Sequence, residues 1–123
     1  MTCVMTDTIE TPDVVDLWMA EAKLYGQKDP YPGKRRHLRF QWRVPVAIEV
    51  ASVDGLQLRA SATTRDISQG GIGLECRQPI EPDSRIHIRL EGEIECVEGY
   101  VVHCTQSFGK YLIGVVFAAC LAA

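Results

Sequence analysis

With 123 residues, 46% of them hydrophobic and 24% charged, the chain has the composition of one globular domain long enough to bury a core. It holds no apolar run of about eighteen residues, which excludes a transmembrane helix, and its net charge of −3 argues against a general affinity for polyanions. Its five cysteines, Cys3, Cys76, Cys96, Cys104 and Cys120, have no CxxC spacing, so neither a zinc site nor a redox motif is expected, and reduced thiols in a cytoplasmic protein are the natural reading.

Residues 1–10 read as a mobile tail, and the opening MTCVMTDTIETPD lacks the basic start and apolar core of a secretory signal. Thr11-Pro12-Asp13 is a helix start: a threonine cap, a proline in the first turn and an acid at the positive end of the dipole. Val14, Leu17, Trp18, Leu24 and Tyr25 then share one side at helical spacing, with Ala22 adjacent, until Gly26 and the run Asp29-Pro30-Tyr31-Pro32-Gly33 end the helix. Such a stripe cannot stay exposed. Either it packs on the domain or it docks onto a partner or a second copy of the chain.

From Arg43 onward the period is two. Val44, Val46, Ile48 and Val50 form a half-buried strand, Asp54-Gly55 turns it, and Leu56, Leu58, Ala60 and Ala62 point inward on the way back. Ile72, Leu74 and Cys76 alternate next, then Ile86, Ile88 and Leu90. Glu91-Gly92-Glu93 turns the chain into Ile94–Cys104, where Gly99 suggests a bulge or bend. Gln106–Lys110 turns it again into Tyr111–Phe117. The last six residues, 118–123, are too few for a stable helix. Six strands with short turns predict an all-β fold, a six-stranded antiparallel β-barrel with an N-terminal helix. Residues 1–33 are its tail, helix and linker, and residues 34–123 the barrel domain.

Two stretches carry chemistry. Lys34 to Arg43, KRRHLRFQWR, has five basic residues and no acid, while the rest of the chain sets eight Lys/Arg against sixteen Asp/Glu. A basic island in an acidic protein marks a local anion site. Within it Arg35 and Arg39 are spaced RxxxR, with Arg36 beside the first. Guanidinium groups pair bidentately with phosphate or a guanine edge and stack on bases. About thirty residues on comes Asp66-Ile67-Ser68-Gln69-Gly70-Gly71, DxSxxG. Each stretch has a plainer reading: a solvated basic linker, and an Asp/Ser turn capped on its own backbone with Gly70 and Gly71 needed for the turn. Trp42 and Phe40 are expected to anchor the arm to the barrel.

Residues 35–117 resemble a PilZ domain, the bacterial receptor module for cyclic di-GMP. The resemblance rests on Arg35-Arg36-His37-Leu38-Arg39-Phe40, Val44-Pro45-Val46, Asp66-Ile67-Ser68-Gln69-Gly70-Gly71-Ile72 and the closing Ile113-Gly114-Val115-Val116-Phe117. It implies that Arg35 and Arg39, helped by Arg36, grip the ligand from the arm. Asp66, Ser68 and Gly71 then hold it from the barrel face, with Gly70 letting the backbone come close. Asp66 would accept from guanine N–H groups, and Ser68 would donate to a phosphate or bridge through water. Lys34, long and polar, suits a stacked dimer of the nucleotide. Many PilZ members carry a C-terminal helix where this chain stops almost at once.

The expected function is therefore a cyclic di-GMP receptor or adaptor that changes conformation and regulates an effector protein, as a homodimer if the helix docks onto a second copy. Ligand-free adaptor activity and single-stranded nucleic-acid binding are the alternatives. The latter would need a basic groove with exposed aromatics, whereas the positive charge here is confined to one arm. His37, His87 and His103 show no metal-ligand spacing and no nucleophile–base pairing, so no metal, cofactor or catalytic residue is expected.

Overall fold

A computed structural model describes residues 11–25 and 39–118 of the chain. The tail, the linker with Lys34, Arg35, Arg36 and His37, and the final residues 119–123 lie outside the described residues. The order is α1 (Thr11–Tyr25), β1 (Phe40–Gln41), β2 (Pro45–Ala51), β3 (Gln57–Ile67), β4 (Gly71–Cys76), β5 (Arg85–Leu90), β6 (Val97–Ser107) and β7 (Lys110–Phe117).

All strand pairs are antiparallel and run β3-β2-β5-β6-β7-β4, with β4 returning to β3. The six long strands thus close into a barrel, and the two-residue β1 extends the β2 edge of β3. Inward positions are filled by β-branched residues: Val46, Ile48, Ile72, Ile86, Ile88 and Ile113 are all within 1% of complete burial. Each such side chain removed from water stabilises the fold by about 1.5–3 kcal/mol.

Two single-residue irregularities break the alternation. Between β3 and β4 the pairing Thr64↔Leu74 is followed by Asp66↔Gly73, which leaves Arg65 as an extra residue. Between β6 and β7, Val101↔Val115 is followed by His103↔Gly114, which leaves Val102 extra. The bend expected at Gly99 therefore falls at Val102. Gly99 is buried for a different reason: a Cβ there would stand 2.5 Å from the Val116 carbonyl oxygen.

Three other expectations shift. Leu56 belongs to the hairpin loop and is 70% exposed, because Gly55 at φ 91° delays the return strand to Gln57. The strand expected from Ile94 begins at Val97, since the turn through Gly92 (φ 83°) leaves Ile94 in solvent. On α1 the buried face is Val14, Val15, Trp18, Met19 and Ala22, with Leu17 and Leu24 exposed. Trp18 sets that face by packing on Trp42, ring centroids 5.8 Å apart, and the Trp42 indole N–H donates to Glu21 at 3.0 Å. The helix packs on the domain. Among the described cysteines, Cys76 and Cys104 are free but Cys96 is disulfide-bonded, which corrects the reading of five reduced thiols.

Candidate functional site

The bulge at Arg65 positions the first functional group. Thr64 is fully buried, so strict alternation would turn Asp66 inward and Ile67 outward. The extra residue reverses this: Ile67 is buried and Asp66 faces outside. The Asp66 carboxylate lies over Gly73 on β4, where a Cβ would come within 2.9 Å of Oδ1. From the other side Arg39 Nη1 donates to that same Oδ1 at 2.7 Å, both side chains being largely buried.

Residues 40–44 hold Arg39 in place. Phe40 packs against the core, with the Lys23 ammonium 5.6 Å from its ring centroid. Gln41 pairs with Asp66 in the sheet, and Trp42 is buried beneath α1. The Thr64 hydroxyl accepts from the Val44 N–H at 2.9 Å and donates to the Trp42 carbonyl, stitching the break between β1 and β2. Phe40 and Trp42 anchor the arm as expected.

The turn from β3 to β4 is built around Ser68. Its N–H donates to the Gly71 carbonyl at 2.9 Å. Its hydroxyl accepts from the N–H groups of Gly70 and Gly71, each at 3.2 Å, and donates to the Gly71 carbonyl at 3.4 Å. The side chain is buried, and these contacts are those of the turn-capping reading. The Gly70 carbonyl accepts from the Phe117 N–H at 3.0 Å, which ties the turn to β7. At Gly71 a Cβ would meet the Val115 carbonyl oxygen at 2.3 Å, so only glycine fits.

Of the residues singled out from sequence, Arg39, Asp66, Ser68, Gly70 and Gly71 therefore converge on one side of the barrel. Arg35 and Arg36 lie outside the described residues. Sequence reasoning missed Gly73, the bare floor under Asp66. Its signal was the Gly-x-Gly spacing of Gly71 and Gly73, read only as a turn leading into a strand.

The neighbouring charges tilt this side positive. Glu75, one outward position beyond Gly73, takes two hydrogen bonds from Arg43, at 3.0 and 3.2 Å, and one from Lys110 at 2.9 Å, with Arg65 3.9 Å away. Hydrogen bonding to Arg43, then to Lys110, holds its carboxyl down at about 2 against the opposing effect of burial. Arg39, Arg43, Arg65 and Lys110 thus face two carboxylates, a surplus of two positive charges. A cleft of about 870 Å³ opens beside Glu75, between Ala60–Thr63 and the Phe108–Lys110 hairpin, and Asp66 does not line it. The Arg39–Asp66 pair lies on the outer wall, over Gly73.

A family model for the PilZ domain matches residues 33–120, which takes in the arm, the turn and every strand. The chain belongs to the PilZ family. No curated protein matches it. PilZ domains are cyclic di-GMP receptor modules, ligand-binding rather than catalytic units, and here α1 lies ahead of the matched segment. Among the described residues, no helix is long and apolar enough to cross a membrane and no cluster of His, Cys, Asp or Glu is arranged to hold a metal ion.

Proposed function

We propose that this PilZ protein is a cytoplasmic receptor that binds cyclic di-GMP on its outer wall and passes the signal to an effector protein, turning nothing over. Residues 34–123 form the receptor module, and residues 1–33 supply an appended tail, helix and linker. The observation that carries this reading is the Arg39–Asp66 pair at 2.7 Å over a glycine floor, in a family of cyclic di-GMP receptors. The pair brings together the two group types that the ligand needs.

On binding, Arg39 leaves Asp66 for a phosphate or for guanine O6/N7, and Asp66 accepts the guanine N–H donors in its place. Arg35 and Arg36 extend the cationic grip from the arm. Ser68 acts through the turn, its hydroxyl holding the Gly70 and Gly71 N–H groups so that their bare backbone lies open to the ligand. Micromolar affinity requires about 8 kcal/mol in total, and each bidentate arginine–guanine contact is worth about 1–3 kcal/mol.

Calorimetric titration of the full chain with cyclic di-GMP, beside GTP and cyclic di-AMP, tests the reading. Saturable binding of cyclic di-GMP alone, at about micromolar affinity, is expected. The absence of heat at about 100 μM ligand, roughly a hundredfold above that affinity, would refute it.

A further inference from the structure

The outer wall carries a row that neither motif reveals. Asp66 on β3 pairs with Gly73 on β4, Gly73 with Gly114 on β7, and Gly114 with His103 on β6. The two middle positions have no side chain; the two ends carry a carboxylate and an imidazole. With strands about 4.8 Å apart, the row spans roughly 14 Å, more than a single purine covers.

Both ends reach the surface by the same device. Val101 is fully buried, so alternation would place Val102 outside and His103 inside. The extra residue at Val102 turns His103 outward, just as the extra residue at Arg65 turns Asp66 outward. Val102 itself stays 54% exposed, as alternation from Val101 would leave it. The imidazole then lies down over Gly114, where a Cβ would meet its Nε2 at 2.2 Å and its Cδ2 at 2.6 Å. Gly114 thus makes room for the ring and brings it beside the bare backbone of Gly73.

We infer that His103 is a ligand-contacting residue, the far end of the row that begins at Asp66. Its imidazole N–H donates to an acceptor on the half of cyclic di-GMP remote from Asp66, a phosphate oxygen or a guanine O6/N7. This role for His103 rests on the proposed function.

The test compares the wild-type chain with His103→Ala by calorimetry, and tracks the His103 ring signals of the wild type by NMR as cyclic di-GMP is added. His103 is exposed, so the variant should melt with the wild type. Binding is expected to weaken roughly threefold to tenfold, as for one lost hydrogen bond, and the ring signals are expected to shift on saturation. If the wild type takes up no cyclic di-GMP, the proposed function falls and the His103 contact with it. If the wild type binds, the His103 assignment alone is overturned by affinity in His103→Ala within about twofold of wild type, or by ring signals that stay in place.

Discussion

Asp66 and Glu75 stand on neighbouring strands and face the same side of the barrel, yet their charges are settled differently. Glu75 is enclosed by Arg43, Lys110 and Arg65, all three contributed by the barrel or its first turn. The one cation that reaches Asp66 among the described residues is Arg39, at the end of the arm. A carboxylate with three fixed partners gains little from a new donor. One with a single partner on a separate segment can exchange it. The same functional group is therefore a fastener in one place and, under the proposed function, a receptor in the other.

Gly71, where the two roles meet, offers the hardest way to break that contrast. Gly71→Ala drives a methyl into the Val115 carbonyl, backbone against backbone, and should cost about 3 kcal/mol in chemical denaturation while also abolishing ligand binding. Next come Asp66→Asn and Arg39→Ala. Each should weaken cyclic di-GMP binding roughly tenfold to a hundredfold by calorimetry, equivalent to about 1–3 kcal/mol. Neither should move stability by more than about 1 kcal/mol, the worth of a part-exposed ion pair. Wild-type affinity in either variant would remove the exchange from the mechanism.

Glu75→Gln should do the reverse, leaving affinity nearly unchanged and lowering stability. Its carboxyl titrates at about 2 in the folded protein, below its ordinary 4.5, so the stabilisation is complete above about pH 4.5 and is lost as pH falls toward 2. Because Arg43 and Lys110 are 58% and 44% exposed, solvent screening reduces the effect to about 1–2 kcal/mol at neutral pH. Denaturation across pH 2–7 should show the wild type and variant converging at the acid end. A constant gap would mean that Glu75 acts through packing rather than charge.

The strands were legible because alternation survives wherever one face is sealed: Val46-Ile48-Val50 and Ile86-Ile88-Leu90 lie inward as their spacing demands. Arg39 and Asp66 were each singled out from their motifs, but the direct ion pair between them was not. What also escaped was parity. In Thr64-Arg65-Asp66-Ile67 the two buried residues are three apart, and in Val101–Cys104 the buried Val101 and half-buried Cys104 are again three apart. An odd spacing of inward positions is the mark of a bulge, but it shows only when both inward residues are already known. Gly73 and Gly114 escaped for a related reason. Their meaning lies in what sits above them on the next strand, and register supplies that.

The segment from Arg39 to Trp42 is only four residues long, yet its members answer to different structures. Arg39 reaches Asp66, Phe40 lies under Lys23 of α1, and Trp42 supports Trp18 and Glu21. Any tug on the guanidinium has a single peptide link to cross before it is felt in the bed of the helix. The bed of α1, whose far face turns Leu17 and Leu24 to solvent, thus shares one short stretch of chain with Asp66.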